Sequence, residues 1–231
     1  EMCIRDSDEG QFDGYLKRYG TFAGTGITSF RMPSNLQYIA PETFRNCEQL
    51  KTFYIGKAFR GKINYGEEGD PDTLFLYYAP IRLIQIDKEN TSYQLQNEIL
   101  YTRDGHILCQ ALKNDNADSQ LTIPSCVTEI ADGAFYRNSE FGAIEVKGSL
   151  ERIGISAFAC ADVGSFYVKG GVNYLDRGSF YQSAISEWRC HGGVKKYEKS
   201  AFQDVDATNG YAIDMNAITK PSKELLYVNA T

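Results

Sequence analysis

The chain has 231 residues with 24 Lys and Arg, 30 Asp and Glu and two His, giving a formal net charge of −6. A hydrophobic share of 42% and a charged share of 23% suit a soluble chain that can bury a core; there is no basic excess of the kind nucleic-acid binding needs, and no apolar run long enough to span a membrane as a helix. Two histidines leave little room for His-based catalysis or metal binding, and the distinctive numbers are 13 Phe and 16 Tyr against one Trp.

The opening residues Glu1-Met2-Cys3-Ile4-Arg5-Asp6-Ser7 read as the translated adapter scar of an assembled gene, or as a disordered acidic tail, so residues 1–9 are set apart as a tip. Glu1, Arg5, Asp6, Asp8 and Glu9 there sum to −3, half of the net charge, and the chain is expected to be a fragment. Residues 10–231 are expected to form a single repeat domain. Its first units fill residues 27–60: Phe30-Arg31-Met32-Pro33, then Ile39 and Thr43-Phe44, with Phe53-Tyr54-Ile55 following 23 residues after the first strand. Residues 61–73 carry no periodic apolar residue and read as a loop, its acids Glu67, Glu68, Asp70 and Asp72 solvated and not arranged as a cation loop.

An irregular repeat is expected over 74–120. It starts from the strand Ile84-Gln85-Ile86 and holds a hairpin in which Glu98 to Thr102 and His106 to Gln110 flank the Arg103-Asp104-Gly105 turn; Asn114 to Ser119 reads as a linker. Regular repeats occupy 121–210. Leu121-Thr122-Ile123, Ile144-Glu145-Val146, Phe166-Tyr167-Val168 and Trp188-Arg189-Cys190 recur at intervals of 23, 22 and 22, and the same intervals separate Phe135, Phe158, Phe180 and Phe202, each preceded by Ala or Ser. Five residues before each Phe stands Ile130, Ile153, Leu175 or Tyr197. Residues 211–231 are an incomplete repeat or cap in which Tyr211-Ala212-Ile213 supplies an eighth strand, with Leu225 to Val228 pairing beyond it.

Two markers on one period are the signature of a solenoid. An apolar-x-apolar strand cannot bury its inner face alone. Stacked turns lay each strand about 4.7–4.9 Å from the last, predicting one sheet of eight strands some 34 Å long, closed by the Ile and Phe of the returning wall.

The units ITSFRMPSNLQYIAPETFRNCEQL and LTIPSCVTEIADGAFYRN resemble the leucine-rich repeats of the BspA type, and IDKENTSYQLQNEILYTRDGHIL is similar to the hairpin-bearing spacer found between such repeats. The resemblance runs from about Ile27 to Tyr227. It implies an α/β leucine-rich-repeat solenoid, a right-handed superhelix of 22–23-residue repeats with one short parallel strand per repeat and an inserted β-hairpin. It also implies a cell-surface or secreted, adhesin-like protein whose partner is another protein, such as a host extracellular-matrix or cell-surface protein. Tyr197 for Ile, Ser179 for Ala, and the pairs Gly170-Gly171 and Gly192-Gly193 depart from the family pattern.

A search for chemistry yields no catalytic constellation, cofactor motif or metal set. Cys47, Cys109, Cys126, Cys160 and Cys190 have no C-x-x-C spacing; Cys47 and Cys160, close after Phe44 and Phe158, read as buried inert thiols. His106 and His191 fall in different repeats without a third partner, and no phosphate-cradling glycine motif occurs.

What the sequence offers instead is a surface. Alternation along each strand turns outward Arg31, Tyr54, Gln85, Thr122, Glu145, Tyr167 and Arg189, flanked at the edge by Asp87, Lys147, Lys169 and His191. Tyr and Arg are favoured interface anchors, so this row is the expected ligand-binding face of a non-catalytic module. A structural spacer within a larger surface protein is the alternative reading, with a glycan-binding or glycan-processing protein third, because Glu145 and Asp87 lie too many repeats apart for a glycosidase pair. The ligand and the oligomeric state are left open.

Overall fold

A computed structural model describes residues 21–66, 73–77, 79–112, 119–138 and 141–205. The amino-terminal tip, most of the linker from Asn114, and the segments expected to be strands at Tyr211-Ala212-Ile213 and Leu225 to Val228 lie outside the described residues.

The described chain winds into a β-solenoid whose walls are two families of parallel strands. On one wall, β1 (Ser29–Arg31) and β2 (Thr52–Ile55) begin the coil. Next, β3 (Lys62–Ile63) pairs in parallel with β4 (Thr73–Leu74). This corrects the reading of 61–73 as a loop: Ile63, Thr73 and Leu74 are buried, and two-residue strands are too short to leave a periodic trace. The first wall resumes at β5 (Leu83–Ile86). The insertion β6 (Tyr93–Gln96), β7 (Ile99–Thr102) and β8 (Ile107–Ala111) follows as an antiparallel meander, Gln96 opposite Ile99 and Leu100 opposite Gln110. The expected hairpin is β7 and β8, and β6 extends it.

From β9 (Ser119–Ile123) onward each turn carries two strands. β9, β11 (Phe141–Val146), β13 (Asp162–Val168) and β15 (Ala184–Cys190) build the first wall, while β10 (Glu129–Ile130), β12 (Leu150–Ile153), β14 (Val172–Leu175) and β16 (Val194–Tyr197) continue the sheet of the meander. One strand per repeat is therefore corrected to two. The second strand is hard to read because it does not alternate: in Leu150-Glu151-Arg152-Ile153 the two end residues are buried and the two central ones are not.

The α/β expectation is not met, since no helix occurs among the described residues. The third side of each coil is a turn carrying Ala-Phe or Ser-Phe. Its backbone binds the next repeat directly, Phe135 N–H donating to Ala157 O, Phe158 to Ser179 O and Phe180 to Ala201 O, each at 2.7 Å. Ser179 fits the small-residue position because its hydroxyl donates back to Asp176 O at 2.8 Å. Two residues after each Phe the chain turns through the left-handed region, at Asn46, Arg137, Cys160, Gln182 and Asp204, with φ between 50° and 57°. Cys160 thus sits at the corner and is only half-buried. Cys47, one residue further along its repeat, is buried with its thiol donating to Phe22 O at 2.9 Å.

Burial follows the Phe period. Phe135, Phe158, Phe180 and Phe202 stack in one column with centroids 4.6, 4.9 and 4.9 Å apart and interplanar angles of 10°, 1° and 3°, the spacing that neighbouring strands dictate. Phe166 and Trp188 meet this column edge-on. The double glycines serve close packing at the corner: a Cβ on Gly192 would stand 2.7 Å from Gly171 Cα, and one on Gly170 would stand 2.8 Å from Gly148 O. The first wall is not one sheet of eight strands. Strands β1, β2 and β5 form one sheet and β9, β11, β13 and β15 another, with the meander inserted in the chain between them.

Candidate functional site: the strand face and a groove on the second sheet

Register places all seven outward residues as alternation requires, but in two groups. Arg31, Tyr54 and Gln85 align across the three-stranded sheet; Thr122, Glu145, Tyr167 and Arg189 align across the four-stranded one. No strand pairing joins Gln85 to Thr122.

The first group is a compact polar unit. The Arg31 guanidinium carbon lies 3.8 Å from the centroid of the Tyr54 ring, and the Tyr54 hydroxyl donates to Asp87 Oδ2 at 2.8 Å. Asp87 also accepts from the Glu89 backbone, and that bond, with the one from Tyr54, holds its carboxyl below the ordinary value; the same bond to Asp87 raises the Tyr54 phenol. A depression of about 530 Å³ beside them is lined in part by Phe30, Met32 and Pro33.

The second group is tied together by charge. Glu145 accepts from Lys147 and, at 3.1 Å, from Lys169, and these two cations lower its pKa. The Tyr167 hydroxyl is 3.4 Å from His191 Nδ1, and the Arg189 guanidinium is 5.8 Å from the Tyr167 ring centroid while its Nη2 donates to Glu187 at 2.9 Å. Glu187 belongs to a second outward row, Gln120, Ala143, Ser165 and Glu187, in register with the first. The signal for that row is the pair Gly164-Ser165 between inward Val163 and Phe166, which lengthens the strand beyond three residues.

A second concavity, about 1030 Å³, lies over β10, β12 and β14. At its floor Arg152 donates to Glu129 Oε1 at 2.8 Å, to Asp132 Oδ1 at 2.5 Å and to Asp176 Oδ2 at 3.0 Å from Nη2 and 3.2 Å from Nε. These side chains are 11–24% exposed. Burial raises the pKa of Glu129 and of Asp132, against the pull of Arg152. Burial lowers that of Arg152, but the carboxylates of Asp132 and Glu129 outweigh it and the guanidinium is held more firmly protonated. Asp132 reaches this position over Gly154, where a Cβ would stand 2.4 Å from Oδ1. At the rim the Tyr174 hydroxyl donates to Glu198 at 2.7 Å, which pushes its pKa up to about 12.

None of these groove residues is in the sequence-derived row. The available signal was partial: Glu129 and Arg152 hold one register position 23 residues apart, whereas Asp132 and Asp176 stand at others. Among the described residues no group of three or more His, Cys, Asp and Glu is placed to hold a metal ion; around Arg152 the guanidinium occupies the centre.

The profile described as "BspA type Leucine rich repeat region" matches six copies, over residues 18–65 and 105–209. The pneumococcal vaccine antigen PcpA shares the fold with a TM-score of 0.59 at 18% identity, over 79% of this chain and 50% of that one. A leucine-rich repeat protein from Eubacterium ventriosum aligns at 16% identity and a TM-score of 0.43 over 80% of this chain and 66% of its own. The chain thus spans half the length of the pneumococcal structure it matches. No curated protein sequence matches it.

Proposed function

The chain belongs to the BspA-type leucine-rich-repeat family, and from that premise we propose that it is a non-catalytic binding module of a cell-surface or secreted protein, recognising a protein partner through its strand face. The reading is carried by the two registered outward groups, in which Tyr54 and Tyr167 each stand beside an arginine on its own parallel sheet. Tyr and Arg anchored in this way lose little freedom on binding and are the residue types that dominate interface energetics. No nucleophile, base and orienting group converge on this face. The likeness to a vaccine antigen supports surface display, and host extracellular-matrix proteins are the partners to try first.

The test is a triple variant, Tyr54→Ala, Tyr167→Ala and Arg189→Ala, measured by surface plasmon resonance against immobilised fibronectin, fibrinogen and laminin. Binding by the parent is expected to weaken at least tenfold in the variant while the melting temperature stays within a few degrees. Unchanged binding, or no binding by the parent, would leave the solenoid as a spacer.

A further inference from the structure

We infer that the groove over Arg152 is a binding site for a neutral oligosaccharide, separate from the strand face and independent of the protein-recognition reading. The first observation is where the groove departs from the repeat. Residues that hold a solenoid together recur at its period, as the Phe column does. The register position of Arg152 is instead occupied by Glu129, Tyr174 and Lys196 in the neighbouring strands, so its chemistry is not part of the pattern that recurs along the coil. The second is the state of its side chains. The Arg152 network is half-buried and already braced by four hydrogen bonds across three successive strands, so a ligand would meet polar groups fixed in place, which lowers the ordering cost of binding.

The lining selects the ligand class. Lys62, Arg152 and Arg177 face Glu129, Asp132, Asp176 and Glu198, three positive groups against four negative, so Coulomb attraction singles out neither a cation nor an anion. The apolar share of the lining is Tyr65, Ile155 and the ring of Tyr174, fewer residues than its charged share and a poor seat for the large anchor a protein partner would insert. Hydrogen-bonding capacity is what the groove offers. Glu129, Asp132 and Glu198 each engage one carboxylate oxygen in the bonds above, leaving the other as an acceptor, while Arg152 retains an N–H on Nη1. A ligand that donates and accepts repeatedly along its length fits such a surface, and a chain of sugar hydroxyls, each one donor and two acceptor lone pairs, does so without a charge. A volume of about 1030 Å³ lies at the upper end of small-molecule sites, roughly 300–1,000 Å³, which favours an oligosaccharide over a single sugar.

The experiment is isothermal titration of the full chain with cello-, xylo-, manno- and malto-oligosaccharides and oligomers of N-acetyllactosamine, with an arginine-rich peptide as comparator. At least one neutral series is expected to bind, more tightly as its length grows. Glu198→Gln and Tyr174→Phe should each weaken that binding at least fivefold with no change in melting temperature, whereas Tyr167→Ala on the strand face leaves it intact. The assignment is overturned if no neutral series binds, if both groove variants bind like the parent, if Tyr167→Ala abolishes binding, or if only the arginine-rich peptide binds.

Discussion

Arg152 is where a single side chain governs the most surrounding chemistry. It is shared by three carboxylates, of which Glu129 and Asp132 are driven toward protonation by burial, and removing one member of a buried ionic network leaves the others uncompensated, a loss of about 3–5 kcal/mol. Arg152→Met, which keeps an unbranched stem without the guanidinium, is expected to lower unfolding free energy by about 3 kcal/mol at pH 7. The pH dependence has a definite sign. Glu129 and Asp132 titrate above their ordinary 4.5 and 3.8 in the folded chain, so between those values and the raised ones the folded state binds more protons than the unfolded state. Their contribution to stability therefore falls as pH rises through that window. Without Arg152 both carboxyls move further up, so the deficit of the variant should be largest at pH 7 and shrink at pH 4 to 5. Asp87 and Glu145, whose pKa values are lowered, act oppositely: their contribution is present above the ordinary carboxylate value and lost as pH falls through the folded one. Urea unfolding of parent and variant at both pH values decides the matter, and a deficit that grows toward acid would refute the account.

At the scale of elements, what repeats identically was legible and what repeats with variation was not. The strands β9, β11, β13 and β15 and the Phe column could be read because the same apolar pair and the same Ala-Phe return every 22 or 23 residues. β12, β14 and β16 could not, because in Leu150-Glu151-Arg152-Ile153 and its equivalents two non-buried residues separate the inward end residues, of which only Tyr197 in β16 is less than fully buried, and the period-two signature of a strand is lost. The outward row was placed residue by residue, yet its division after Gln85 was hidden, since alternation fixes which way a side chain points and not which strand lies beside it. The groove escaped for a related reason: Glu129, Asp132 and Asp176 are three different positions within their repeats.

The Phe column also makes a quantitative prediction at this scale. Phe158 is fully buried between two stacked rings, whereas Phe202 is 9% exposed and, among the described residues, stacks on Phe180 and meets Trp188 edge-on. Phe→Ala in a core costs about 3–5 kcal/mol, and Phe158→Ala is expected at the top of that range. Phe202→Ala should cost less, because among the described residues only one face of its ring carries a stacked neighbour. Equal midpoints of chemical denaturation for the two variants would mean that the column does not transmit stability between repeats.

The whole molecule is organised around the meander. Its strands β7 and β8 have both faces covered: Leu100, Cys109 and, just beyond β8, Leu112 join an amino-terminal core with Phe44, Phe53 and Ile84, while Ile99, Tyr101, Leu108 and Ala111 join a carboxy-terminal core with Phe135, Phe158 and Phe180. Adjacent residues of one hairpin thus belong to different cores, and β7 and β8 form the partition through which the two communicate. In a solenoid, stability is close to a sum of repeat and nearest-neighbour contributions, so damage on one side of a partition should remain there. Leu100→Ala, costing about 2–5 kcal/mol, is expected to speed hydrogen exchange of amides in β1, β2 and β5 while those in β11, β13 and β15 keep their protection; Leu108→Ala should do the reverse. If either variant lowers protection equally in both halves, the meander is a coupling element and the solenoid unfolds as one unit. The consequence reaches the strand face, because separate cores would let the Arg31–Tyr54 group and the Tyr167–Arg189 group open independently, and a partner spanning both would then protect the two halves together where the free chain protects them apart.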